Sequence, residues 1–282
     1  MRQVLFLPAI GTLLLAMACS PGADTANAAA DMQIVDLTHP FDEDTVYWPT
    51  DTRGFQLEEL ARGRTAGGFF YSANALCTAE HGGTHMDAPI HFFEEGLAVN
   101  EVPLTNLVGP AVVIDVSNEA TDNRDYRLTL ADVEAHEARH GAIPQGAIVL
   151  LRTGWSAHWP DARAYLGDDT PGDASKLSFP SYGAEAAKFL IDERGVPVLG
   201  VDTASIDYGR STDFMVHRIA AEKQVTGLEN LTGLEALPSA GFTVIALPMK
   251  IAGGSGGPVR VIAILDSDQA GLFMNESQSV EN

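Results

Sequence analysis

Residues 81–91 read His-Gly-Gly-Thr-His-Met-Asp-Ala-Pro-Ile-His, which sets three imidazoles and a carboxylate within eleven positions: His81, His85, Asp87 and His91. Imidazole and carboxylate are the side chains that zinc, manganese and iron take as ligands. So dense a polar run is costly to bury without a partner, and a divalent ion is such a partner. A bound ion lowers the pKa of its water towards neutrality, and it stabilises the oxyanion that forms when the resulting hydroxide attacks a carbonyl carbon. The chemistry on offer is hydrolysis, with a histidine not needed as a ligand free to move a proton.

The backbone of this run is not helical. Gly82-Gly83 disfavours a helix interior, so His81 and His85 are not an i, i+4 pair on a helix. In an extended chain alternate residues share a side, which points His85 and Asp87 the same way. Pro89 cannot extend a central ladder. The segment reads as a strand end turning into a loop, with His81, His85 and Asp87 able to converge on one ion and His91 close behind.

More distant residues are ambiguous when read alone. His217 sits in the apolar helical run Phe214-Met215-Val216-His217-Arg218-Ile219, where a histidine is either a satisfied core residue or a ligand. Glu229 lies between Leu228 and Asn230-Leu231, a setting that excludes a carboxylate unless something pairs with it. His136-Glu137-Ala138-Arg139-His140 spells the zinc-peptidase helix motif. Its second histidine falls on a last turn ended by Gly141 and Pro144, and its helix is polar, so the motif reads as a decoy. Gly253-Gly254-Ser255-Gly256-Gly257-Pro258 lacks the lysine of a phosphate loop; it is a flexible loop or a loop beside the site. Phe69-Phe70-Tyr71 reads as core or as substrate contact.

The elements that must position these groups are those of an α/β protein. Segments rich in β-branched residues predict strands at Gln33–Leu37, Phe69–Ala79, Ala111–Val116, Ala147–Arg152, Val196–Asp202, Phe242–Leu247 and Val259–Leu265. Continuous apolar runs such as Ile148-Val149-Leu150-Leu151 suit strands covered on both faces. Helical spacing predicts helices at Leu130–His140, Tyr182–Arg194 and about Asp213–Lys223. Thr129 and Ser181 are their expected N-caps, and Gly141 and Gly195 their stops. The order is too irregular for an eight-stranded α/β barrel. A mixed β-sheet core with flanking helices, one domain over 32–270, is expected, followed by a tail at 271–282.

A net charge of −21 leaves no basic stripe for nucleic acid and no electrostatic attraction to anionic lipid. Arg2 followed by the apolar run Val4 to Ala18 reads as a signal peptide over 1–19. Ala16-Met17-Ala18-Cys19 is similar to a lipoprotein box, with a small-residue cleavage site near Ala28 as the alternative, and residues 20–31 read as a tether. Both endings imply export to the periplasm, with the membrane touched only through a lipid anchor at Cys19. Cys77, in an apolar-rich stretch, is then unpaired and expected to be buried and inert.

The His/Asp run also resembles the His-x-Gly-Thr-His-x-Asp-x-Pro-x-His signature of the metal-dependent cyclase-like hydrolases, which include bacterial kynurenine formamidase (arylformamidase) and isatin hydrolase. Tyr47-Trp48-Pro49-Thr50-Asp51, Leu151-Arg152-Thr153-Gly154-Trp155 and Gly200–Asp207 are similar to further segments of that family, and the likeness spans about residues 33–266. The resemblance implies the family's α/β fold. It implies that His81, His85 and Asp87 bind one Zn2+ or Mn2+, and that Asp87, His217 and Glu229 complete a second site or share the first. It makes His91 the proton-transfer residue and places Trp48 against substrate; Phe69 and Tyr71 are read as further walls of the same aromatic slot. Isatin hydrolase-like members use an amide where this chain has Glu229, which leans towards the formamidase arrangement. The implied activity is hydrolysis of an amide C–N bond, typified by N-formylkynurenine to kynurenine and formate. A cyclic-amide or lactone hydrolase and a non-catalytic metal- or solute-binding lipoprotein are the alternatives. The resemblance also implies a homodimer or larger homo-oligomer.

Overall fold

Val112, Ile114, Val149 and Leu151 face one way and Ala111, Val113, Ile148 and Leu150 the other, and both sets are buried in separate apolar clusters. This two-sided burial, seen in a computed structural model of the chain, is the physical content of the continuous apolar runs. The structure describes residues 33–265. The signal, tether and tail segments at 1–19, 20–31 and 271–282, with Cys19, lie outside the described residues.

Among the described residues there are twelve strands: β1 Gln33–Asp36, β2 Gln56–Arg64, β3 Phe70–Cys77, β4 His85–Asp87, β5 Val108–Asp115, β6 Arg127–Leu128, β7 Ile148–Arg152, β8 Ser181–Tyr182, β9 Val198–Val201, β10 Thr226–Glu229, β11 Ala240–Pro248 and β12 Gly256–Leu265. Six α-helices accompany them among the described residues: α1 Leu104–Leu107, α2 Ser117–Asp122, α3 Leu130–His140, α4 Ala162–Leu166, α5 Ala184–Arg194 and α6 Met215–Glu222. The main sheet runs β1-β12-β11-β5-β7-β9-β10-β4. Strands β5, β7, β9 and β10 are parallel and the remaining pairings antiparallel.

The sheet is mixed, as expected, but it also closes. Strand β4 pairs with β10 on one side and β12 on the other, which joins seven strands into a barrel-like ring with β1 outside it on β12. A three-residue strand carries too little pattern to betray this closure from sequence. Met86 and Leu228 point into the ring and are fully buried there. His85, Asp87 and Glu229, displaced from them by one residue, therefore face outward, towards α6.

Helix α3 starts at Thr129 with a capping box to Asp132 and stops at Gly141, as its sequence signals. The α5 N-cap is Gly183 and not Ser181. The expected first residue, Tyr182, is instead buried on β8, donating its hydroxyl to Gly200 O. Strands β2 and β3 form a separate two-stranded ribbon. Among the described residues they pair only with each other and leave Phe69, Phe70, Tyr71 and Cys77 exposed, so the expectations of a buried Cys77 and of a core role for the aromatic run fail. Among the described residues no helix is long and apolar enough to cross a membrane.

Candidate metal centre

The register of β4 sets the site. His85 stands opposite Glu229 and Asp87 opposite Gly227, so an imidazole and two carboxylates share the outer face of the ring. Glu229 ends β10, and the loop after β9 passes beside it: the backbone N–H of Ile206 donates to Glu229 Oε1 at 2.8 Å. Carboxyl ends of parallel strands are where α/β sheets, open or closed, gather their ligands. Helix α6 then lays His217 across the two carboxylates.

Four distances describe the cluster. His85 Nε2 is 3.3 Å from Asp87 Oδ1 and 3.4 Å from Glu229 Oε2. His217 Nε2 is 3.1 Å from Asp87 Oδ2 and 3.3 Å from Glu229 Oε1. Charged N–H···O bonds close to about 2.7–2.9 Å. Ligand atoms held about 2.0–2.1 Å from a tetrahedral ion lie roughly 3.3–3.4 Å from one another. His85, Asp87 and Glu229 bring ligand atoms within 4.8 Å of one another, as groups around a cation do, and His217 stands against both carboxylates. His85, Asp87, His217 and Glu229 are all buried, and each carboxylate offers one oxygen to each imidazole.

The electrostatics agree. Burial works to lower His85, but Asp87 and Glu229 outweigh it and raise its pKa to about 9. His217, pushed down by burial, is carried well above the ordinary value by Asp207, Asp87 and Glu229. Burial and the charge of Asp87 raise Glu229. Protons on the imidazoles thus balance two buried carboxylates, and a divalent cation supplies the same balance. The residues fit the ion that their types imply.

Both imidazoles are held with Nε2 inward. His85 Nδ1 lies 2.9 Å from Gly83 O, and Asn230 Nδ2 donates to the same carbonyl at 2.7 Å. His217 Nδ1 lies 2.7 Å from Asp207 Oδ2. Such outer hydrogen bonds fix the tautomer of a metal-binding histidine. The glycines of the run make the approach possible. A Cβ on Gly82 would lie 2.1 Å from the Tyr47 ring, and Gly83, at φ 58°, has the Phe41 ring where its Cβ would go. This close packing lets residues 46–48 run beside 82–83.

The remaining expected residues divide. His81 and His91 join Asp87 in a second grouping whose ligand atoms lie within 4.8 Å of one another, and their rings stack at 3.8 Å. His91, on the turn Pro89–His91, stands at the pocket mouth with part of its ring in solvent; desolvation of the rest, and the neighbouring imidazoles, lower its pKa to about 4. Trp48 lines a cavity of about 270 Å³ in front of the cluster, together with Phe92 and Phe214. Phe69 and Tyr71 do not line it: they are exposed at the two-stranded ribbon, away from this cavity. The peptidase-like motif is a decoy, since Glu137 is held by Arg194 at 2.7 and 2.8 Å.

Sequence reading missed Asp207, Asn230, Phe92 and Phe214. Asp207 had a signal, because a carboxylate beside Ile206 in a strand-end loop needs a partner. Phe214 had none; only its turn, at φ 48°, brings it over the pocket.

The chain matches the Cyclase family over residues 35–208. It is 32% identical to isatin hydrolase of Roseibium aggregatum over 207 residues, 70% of this chain and 76% of that protein. It is 30% identical to kynurenine formamidase of Salinibacter ruber over 233 residues, 82% of this chain and 97% of that protein. The structure of isatin hydrolase A from Ralstonia solanacearum superposes with a TM-score of 0.79 at 34% identity, covering 89% of this chain and all of that one.

Proposed function

This chain belongs to the Cyclase family of hydrolases, and from that premise we propose that it is a metal-dependent amidohydrolase that cleaves an amide C–N bond attached to an aromatic ring. One observation carries the reading: His85, Asp87 and Glu229 sit at cation-ligand spacing, with His217 against both carboxylates, on the floor of a cavity walled by Trp48, Phe92 and Phe214. A cavity of about 270 Å³ suits a small ring-bearing molecule, near the lower end of ligand pockets.

A bound Zn2+ or Mn2+ would supply Lewis acidity, acidifying a water and polarising the substrate carbonyl. His85, Asp87, His217 and Glu229 would hold it, with His81 as the further ligand. Gly83 O and Asp207 keep His85 and His217 turned for that task. The aromatic walls hold the ring of the substrate and keep bulk water off it. His91, at the mouth, would take the proton lost by the attacking water and return it to the departing amine nitrogen.

Between substrates, the carboxylate at Glu229 favours an aryl formamide such as N-formylkynurenine. The 34% identity to a solved isatin hydrolase supports a second reading, opening of a cyclic amide. The purified chain, assayed with N-formylkynurenine, formanilides, isatin and lactones before and after chelation, tests both. Turnover that survives chelation removes the metal; turnover of lactones alone removes the amide.

In the same proposal the chain is exported through residues 1–19 and acts as a homodimer or larger homo-oligomer. Cell fractionation and light scattering test these two statements.

A further inference from the structure

Glu80, Ser255 and His81 form a chain of hydrogen bonds that the metal cluster does not account for. Glu80 Oε2 lies 3.0 Å from Ser255 N and 2.6 Å from Ser255 Oγ. Ser255 Oγ lies 2.8 Å from His81 Nε2, and His81 Nδ1 lies 2.6 Å from Asp87 Oδ1. The serine is fixed from its other side as well, since Ala88 N–H donates to Ser255 O at 2.8 Å where β12 meets β4.

Counting hydrogens assigns the donors. A carboxylate only accepts, so Glu80 takes both the N–H and the single O–H of Ser255. Ser255 Oγ then has only lone pairs left for His81, so Nε2 carries a hydrogen; Asp87 Oδ1, also only an acceptor, takes a second hydrogen from Nδ1 in the metal-free site, and that Nδ1 hydrogen is the one a metal would displace. From this geometry we infer that Glu80 and Ser255 are positioning residues that hold His81 as its Nε2–H tautomer, so that His81 offers Nδ1 to the metal while His85 and His217 offer Nε2. The inference rests on the metal-centre reading above.

The glycine-rich loop now has a physical reason. A Cβ on Gly254 would lie 2.7 Å from Glu80 Oε1, and one on Gly256 would lie 2.6 Å from His81 Cε1 and 2.5 Å from Met86 O. Only the residue between them can carry a side chain, and that residue is Ser255. The serine is not a nucleophile, although Ser255, His81 and Asp87 stand in the order of a hydrolytic triad. A triad serine gives its proton to the histidine, and here Glu80 takes it. Ser255 also does not line the cavity.

The test is long-range 1H–15N correlation on the full chain labelled at histidine and loaded with Zn2+, with His81→Gln used to assign the ring. The expected spectrum shows His81 with a protonated Nε2 and a metal-bound Nδ1. A metal-bound His81 Nε2 overturns the inference, and the wild-type spectrum decides this even where a variant fails to fold. Chelator competition with Zn2+ gives the second readout. Ser255→Ala weakens binding roughly 10–100-fold, as loss of an outer-shell partner does. Glu80→Gln also weakens it, although Ser255 remains, because an amide can donate to Oγ and free the serine proton for Nε2. The double variant is no weaker than Ser255→Ala alone. Wild-type affinity in both single variants overturns the inference. A wild-type chain that takes up no Zn2+ or Mn2+ removes the metal reading and this inference with it.

Discussion

Asp207 holds His217 by backbone and ring together: its Oδ2 lies 3.0 Å from the His217 amide nitrogen and 2.7 Å from ring Nδ1. Its Oδ1 accepts from Val216 N–H at 3.0 Å, so one carboxylate caps the first turn of α6 and turns a ligand inward. A side-chain amide in its place has a single accepting atom and cannot serve all three N–H groups. Asp207→Asn is therefore expected to weaken Zn2+ binding roughly 10–100-fold with a smaller loss in thermal stability. Chelator competition measures the first and thermal melting the second. Unchanged affinity would show that the ring does not depend on this contact.

Removing the metal should change how stability follows pH. In the metal-free site His85 is raised from 6.5 to about 9 and His217 is raised too. For a raised histidine the stabilisation is complete below the unfolded value near 6.5 and is lost as pH climbs through the folded one. The metal-free chain should lose stability from about pH 6.5 to 9, on the order of 3 kcal/mol from His85 alone. Metal binding displaces those protons, so the metal-bound chain should gain affinity over the same range. Melting curves with chelator and with Zn2+ at pH 6, 7.5 and 9 compare the two; parallel profiles would contradict the arrangement.

Much of this site was legible because its signals were chemical. The His-x-x-x-His-x-Asp spacing, the alternation that pairs His85 with Asp87, and a carboxylate at Glu229 among apolar residues all survive in the structure. The central strands were legible for a related reason, since burial on both faces writes an unbroken apolar run. What failed was tertiary. Phe69, Tyr71 and Cys77 carry apolar character, but they lie at a ribbon that, among the described residues, pairs only with itself. Closure of the ring depends on three residues of β4, and the partnership of Glu80 with Ser255 spans 175 positions of sequence. No periodicity records either of them.

The pocket wall separates two sets of aromatic residues that look alike in sequence. Trp48 packs edge-on to Phe179 at 6.2 Å and faces Phe214 at 6.4 Å, with Phe92 5.3 Å beyond. Trp48→Ala should raise KM for an aromatic amide roughly tenfold, the loss of about 1.4 kcal/mol of ring contact, and leave metal content intact. Phe69→Ala should leave KM for the same substrate unchanged. Steady-state kinetics on the two variants decide it, and equal effects would place the ribbon at the pocket.

His91 stands where either a ligand or a proton carrier would stand. Its ring stacks on His81 at 3.8 Å and lies 6.0 Å, centroid to centroid, from His217. It can group with His81 and Asp87 around a cation, yet the buried cluster of His85, Asp87, His217 and Glu229 is complete in donors without it. A ligand and a proton carrier respond differently to truncation. If His91 carries the proton, His91→Ala keeps its metal and its KM while kcat falls roughly 10²–10⁴-fold, and the loss shrinks for substrates whose leaving amine needs no proton. If it is a ligand, the variant loses metal and activity together, and added Zn2+ restores both. Metal analysis and kcat on the same preparation separate the cases, and full activity with full metal content would exclude both roles.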